Sequence, residues 1–119
     1  MARPQHRDVA GLLRAVATPK HFSDYDAEGN RGRVDRGSLS NSVSAQDQTR
    51  YYWPQWRAAA AAGAGAVMCS YPAVGGVPSC GAGGFLNGIL RDRFHFSGLV
   101  VTDCGEPRRP PLPCNSRTG

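Results

Sequence analysis

Three short apolar runs, each ending abruptly in polar groups, constrain what this chain can fold into. Leu13 to Thr18 leads into Pro19-Lys20-His21-Phe22. Gly65 to Ser70 leads into Tyr71, and Gly98-Leu99-Val100-Val101-Thr102 leads into Asp103-Cys104-Gly105. Runs of this length, bounded by turn residues, read as strands. The intervals between them are long enough for crossovers that return the chain parallel to itself. Three parallel strands that each deliver chemistry at the C-terminal end have the layout of an α/β barrel mouth. A complete (β/α)8 barrel needs roughly 200 residues or more, and the chain has 119. The expected architecture is therefore α/β, a partial (β/α)8 TIM barrel of about three βα units.

The intervening sequence supports that order. The first strand is expected at about Arg14 to Thr18, stopped by Pro19. Ser23 to Asn41 has no hydrophobic period and reads as a long surface loop. Ser44 to Ala62 is the clearest helix. Ser44 is a good N-cap with Asp47 three residues on, a variant of the capping box. Tyr51, Tyr52, Trp56, Ala59 and Ala60 recur at helical spacing. Pro54 should kink or split the helix, and Gly63 supplies its stop. Ala64 to Ser70 is the second strand, and Tyr71 to Gly84, rich in Gly and Pro, is a loop. Phe85 to Arg93 is a short amphipathic helix with Phe85, Ile89 and Leu90 inward. Phe94 to Ser97 turns the chain into the third strand, Gly98 to Thr102. Met1 to Asp8 reads as a frayed terminus. Glu106 to Gly119 changes character, with four prolines in fourteen residues, and reads as a disordered, polyproline-like tail.

The net charge of +5 comes with thirteen arginines and one lysine. The arginines are scattered, and no aromatic residues are interleaved to stack bases, so nucleic acid is not the expected partner. No signal peptide is read at the N-terminus. Arg57 to Met68 is too short and too weakly apolar to span a membrane. The cysteines Cys69, Cys80, Cys104 and Cys114 lack the CxxC spacing of a zinc site, and His6, His21 and His95 do not flank them. Four cysteines allow three disulfide connectivities. Cys69–Cys80 would close a short loop. Alternatively, Cys69 and Cys104 are small buried residues near strand ends.

Taken alone, Asp103 is either a helix cap or turn residue, or a nucleophile, metal ligand or base. Lys20-His21 offers a cation and a ring nitrogen that can donate to neighbouring sugar hydroxyls. The alternative is a solvated lysine with His21 packed on Phe22. Tyr71 offers a phenol and a flat apolar face, or is only a rim aromatic. Met68 reads first as core. The glycines at 81 to 84 lack the Lys and Ser/Thr of a phosphate-binding loop.

Several segments, in order, resemble the N-terminal barrel domain of glycoside hydrolase family 3, which includes β-glucosidases and β-xylosidases. These are Ala17-Thr18-Pro19-Lys20-His21-Phe22 with Tyr25-Asp26 and Glu28-Gly29-Asn30, then Val43-Ser44-Ala45-Gln46-Asp47 with Tyr52, Pro54 and Trp56. Ala66-Val67-Met68-Cys69-Ser70-Tyr71 and Gly76-Val77-Pro78-Ser79-Cys80 follow. Ile89-Leu90-Arg91-Asp92-Arg93 with Phe96 and Gly98 to Cys104 resembles the nucleophile signature. The likeness runs from about Val9 to Gly105, so the expected division is 1–8, 9–105 and 106–119. The cysteines and the Lys-His segment look most like the plant and fungal β-xylosidase branch. Pro72 and Gly75 stand where the family usually has Asn, and Glu106 departs from the signature.

The resemblance implies a retaining glycosidase with Asp103 as catalytic nucleophile. Lys20, His21, Met68 and Tyr71 would contact the sugar. The substrate would be a β-linked xylose, glucose or arabinose unit. No metal or organic cofactor, nucleic acid or membrane is implied, and the parent family is secreted. The family's upstream strands and its second domain, which usually supplies the acid/base carboxylate, have no counterpart here. The chain is therefore expected to be a truncated fragment, inactive alone. The alternatives are a non-catalytic fragment with residual sugar binding and a basic, Pro-rich interaction module.

Overall fold

The computed structural model describes residues 9–12, 14–25 and 40–104. The expectations for 1–8, for most of the loop between 23 and 41, and for the Pro-rich tail lie outside the described residues. So do the outer boundaries of the expected domain.

The architecture is mixed α/β. Strands β1 (Lys20–Phe22) and β2 (Ser40–Asn41) come first. Helix α1 (Ala45–Asp47) follows, then a π-turn (Gln48–Tyr52) and helix α2 (Trp53–Ala61). Next come β3 (Ala66–Cys69), β4 (Ala73–Val74), β5 (Val77–Pro78) and a 3₁₀ turn (Ser79–Gly81). A π-helix (Gly84–Arg93) leads to β6 (Leu99–Val101). The main sheet has the order β1-β3-β6, with both pairs parallel. A smaller sheet joins β2 parallel to β4, and β4 antiparallel to β5.

The first strand lies further along the chain than Arg14 to Thr18. Pro19 does not end it, because the bonds on this side of the strand run to carbonyls. Ala17 O accepts from the Gly65 and Ala66 N–H groups, and Pro19 O accepts from Met68 N–H at 3.1 Å. A proline lacks only a donor and is tolerated at the entry to a strand, and Pro19 stands immediately before β1. Lys20 and His21 are thus part of the strand and not of a loop beyond it. The Lys20–His21 and Phe22–Ser23 peptides are cis.

Helix Ser44 to Ala62 forms, but in two pieces. Ser44 Oγ accepts from the Asp47 N–H at 3.1 Å, so the expected N-cap is present. Pro54 has no N–H to give to a carbonyl one turn back. The chain widens just before it, and the Trp53 N–H reaches back to Gln48 O. Each π-turn inserts a residue and rotates the downstream helical face. Of the residues at helical spacing, Trp56 is buried and Tyr51 is exposed, while Gln48 is buried. Gly63 ends α2 at φ +81°. Gly63 N–H donates to Ala60 O and Ala64 N–H to Ala59 O, a Schellman closure.

The loop Tyr71 to Gly84 is more ordered than expected. Gly75 and Gly76, at φ +57° and +81°, make a two-residue hairpin turn between β4 and β5. Two consecutive positive φ values define the turn whose twist suits a hairpin.

One apolar cluster sits between the main sheet and its helices. Phe22, Val67, Trp56, Leu86, Leu90, Phe94 and Phe96 are its buried members. Leu90 is inward as expected, while Phe85 and Ile89 are only partly buried and Leu86 takes the deeper place. Phe22 meets Trp56 edge-on, with centroids 5.1 Å apart. Burying one such side chain contributes about 1.5–3 kcal/mol. Arg91 fixes the turn before β6 by donating to Phe96 O and Gly98 O, with its guanidinium over the Phe96 ring.

Gly98 has no room for a side chain. An added Cβ would lie 2.4 Å from Gly65 O and 2.6 Å from the Phe96 ring. Gly65 O cannot retreat, because it accepts from Leu99 N–H at 3.0 Å where β6 joins β3. Gly98→Ala is expected to lower stability by about 1–3 kcal/mol, the usual range for overpacking. Urea unfolding of the two chains checks this, and an unchanged midpoint would contradict it.

Candidate functional site

Because the three strands of the main sheet run parallel, their C-terminal ends share one edge. Lys20 and His21 stand on β1, Ser70 and Tyr71 follow β3, and Asp103 follows β6 by two residues. β1 and β6 are not neighbours. Two strand spacings separate them by about 10 Å. His21 and Asp103 nevertheless meet over the end of β3, with Nε2 to Oδ2 at 3.1 Å. Their side chains are 21% and 12% exposed, so this is a partly enclosed pair and not a solvated surface contact. Asp103 Oδ1 accepts from the Cys104 N–H at 2.6 Å.

Tyr71 belongs to the same edge. Its hydroxyl donates to Cys104 O, the carbonyl just after Asp103. Tyr25 connects the two sides of the site. Its ring lies 4.8 Å from the His21 ring and 6.3 Å from the Tyr71 ring. Met68 sits one strand in, at the level of Lys20 on β1 and Val101 on β6, and is half-buried. Lys20 is exposed. It lines a cleft of about 340 Å³ together with Pro19, His21, Asp24, Tyr25, Tyr52, Gln55 and Trp56. That cleft opens beside β1 toward α2 and does not include Asp103. The carboxylate and this cleft therefore share His21 but are not the same space.

The turn after β1 is buried and polar. Ser23 is 0% and Asp24 2% exposed. Asp24 adopts φ +63°. Its carboxylate accepts from Ser23 Oγ and from Gln48 Nε2 on the π-turn. Ser70 Oγ donates to Ser23 O at 2.9 Å, and Ser79 Oγ to Phe22 O at 3.0 Å. The sequence offered no direct sign of Gln48, Ser70 or Ser79 in this role. Tyr25 alone was visible, as a residue beside the Lys-His segment.

Of the alternatives open for the cysteines, Cys69 pairs with Cys80, with Cα atoms 5.3 Å apart. Of the alternative that Cys69 and Cys104 are small buried residues, burial holds for Cys69 alone, since Cys104 is exposed and free. Strand β6 ends before it can be carried inward. Among the described residues, no three His, Cys, Asp or Glu side chains converge to hold a metal. No helix among them is long and apolar enough to cross a membrane.

A carboxylate at the C-terminal edge of a parallel sheet, faced by an imidazole with two tyrosines nearby and a lysine on the same strand as the imidazole, suits a ligand rich in hydroxyl groups. The carboxylate can accept from hydroxyls or attack an electrophilic carbon, while the imidazole and ammonium can donate. Residues 5–107 match the glycosyl hydrolase family 3 N-terminal domain, and the chain belongs to that family. It is 45% identical over 95 residues to a probable exo-1,4-β-xylosidase of Aspergillus clavatus, covering 77% of this chain and 12% of that protein. The exo-1,4-β-xylosidase of Aspergillus oryzae is 43% identical over 99 residues, covering 81% and 12%. Among solved structures, a family 3 exo-β-xylosidase in complex with a xylobiose aziridine probe superposes with a TM-score of 0.72 at 42% identity. It covers 78% of this chain and 12% of that one. A β-glucosidase from Streptomyces venezuelae in complex with D-glucose gives 0.68 at 36% identity, covering 79% and 11%. The chain thus spans about 12% of the length of the xylosidases it matches.

The Cys69–Cys80 disulfide closes the segment that carries Tyr71, with a sequence separation of 11. A loop of that size is stabilised by about 3 kcal/mol on the chain-entropy account. Reduction with a phosphine should lower the urea midpoint accordingly, and Cys80→Ser should reproduce the loss without reductant. Equal midpoints for the oxidised and reduced chain would rule the contribution out.

Proposed function

We propose that this chain carries the nucleophile portion of a retaining β-glycosidase site of the exo-β-xylosidase type. Asp103 would attack the anomeric carbon of a β-linked xylose, glucose or arabinose unit. The bond to the leaving oxygen breaks as the glycosyl–carboxylate bond forms, and water later cleaves that ester. Lys20 and His21 would donate to the hydroxyls of the sugar, Tyr71 would hold the chain beside Asp103, and Met68 would form part of the floor. The observation that carries this reading is the 3.1 Å contact of His21 with Asp103 at the C-terminal edge of the sheet, in a chain of this family. Ligand sites gather at that edge in barrels built from parallel strands. The main sheet would be part of a (β/α)8 barrel, with 9–105 as the barrel portion and 106–119 as a Pro-rich tail. The parent protein would be secreted, as a xylan-degrading enzyme must meet its polymer outside the cell.

The acid/base carboxylate would come from outside these 119 residues. A sugar alkoxide leaves poorly without a proton, and general acid catalysis contributes about 10²–10⁴-fold. The chain alone is therefore expected to leave xylobiose uncleaved. A fluorinated xyloside with a dinitrophenolate leaving group needs no such proton. It should leave one glycosyl adduct on Asp103, located by mass spectrometry of the digested chain, and none on Asp103→Asn. An adduct elsewhere, or none, would overturn the assignment. Xylose binding without an adduct would favour a sugar-binding, non-catalytic unit.

A further inference from the structure

His21 can meet Asp103 only if the turn that follows it is held still. The carbonyls of Phe22 and Ser23 lie directly after His21 in a segment without solvent access, where Phe22 and Ser23 are both 0% exposed. Buried carbonyls need partners, and no helix or hairpin supplies them here. Three donors from distant chain do so. The Ser70 N–H and Ser79 Oγ both donate to Phe22 O, at 2.8 and 3.0 Å. Ser70 Oγ donates to Ser23 O at 2.9 Å. Each serine is 1% exposed. Each also neighbours a half-cystine, since Ser70 follows Cys69 and Ser79 precedes Cys80.

We infer that Ser70 and Ser79 are positioning residues that set His21 against Asp103, with the Cys69–Cys80 bridge holding their two hydroxyls in register. Both serine hydroxyls donate to main chain and not to the carboxylate. They act through two main-chain carbonyls, one and two residues beyond His21. An imidazole at hydrogen-bond distance tolerates little displacement, and a shift of about 1 Å disables a positioned group. The inference rests on the reading of His21 and Asp103 as partners in one site. Its test needs no turnover, so the two can fail separately.

The imidazole nitrogen chemical shifts of His21, measured by NMR on the full chain, give the readout. Asp103→Ala defines the unpaired value. Ser79→Ala is expected to move the His21 shifts toward that value, and Ser79→Thr, which keeps the hydroxyl, to restore them. Ile89→Val in the π-helix serves as a control of comparable destabilisation and should leave His21 unmoved. Should Ser79→Ala not fold, Ser70→Ala carries the same expectation, because its main-chain N–H still holds Phe22 O. His21 shifts unchanged in a folded serine variant, with only the urea midpoint lowered, would overturn the inference. So would an equal displacement in Ile89→Val.

Discussion

Strand β3 is the constraint on which the other parts depend. Both β1 and β6 pair with it in parallel, one on each side. Lys20 and Val101 are both opposite Met68, so the ends of the two outer strands are levelled through one residue. Hydrogen-bond pitch fixes the lateral spacing at about 4.8 Å per strand. A histidine and an aspartate are long enough to close a gap of two spacings, and shorter side chains are not. The His21–Asp103 contact is therefore a consequence of sheet geometry, although its residues are 82 positions apart in sequence.

The close approach at Gly65 and Gly98 sets the other end of the same sheet. Leu99 N–H bonds to Gly65 O, with no space for a methyl group at Gly98. Register set there is transmitted along three paired residues to Val101, and from it to Asp103. On the opposite flank, Phe22 joins the apolar cluster while its carbonyl is bound by Ser70 and Ser79. One residue thus ties the site to the core by its side chain and to the loop by its main chain. The site is held by the fold at three separate points, each with a different kind of contact.

Much of this was legible in the residues. The β–α–β–α–β order follows from apolar runs separated by longer intervals, and the helix starts and stops follow from Ser44 and Gly63. The Gly75-Gly76 turn had a signal too, but it was lost among neighbouring glycines and prolines. Proline reads as a stop for the first strand, yet the strand begins immediately after it, an entry position where a missing donor is tolerated. Helical spacing alone does not say that Trp56 is buried and Tyr51 exposed; Pro54 removes one donor, and the π-turn before it absorbs the defect.

The sequence by itself determined the alternation of elements, the family, and which side chains stand at strand ends, because these depend on local patterns of apolar and turn residues. Tertiary structure alone decided that Asp103 faces His21, that Tyr71 bonds the Cys104 carbonyl, and that Cys69 rather than Cys104 is bridged. It also decided that Ser70 and Ser79 serve carbonyls 47 and 57 residues away. Those contacts have no local signature. They arise only once strand pairing brings distant chain to one edge, where each buried polar group must take whatever partner the fold supplies.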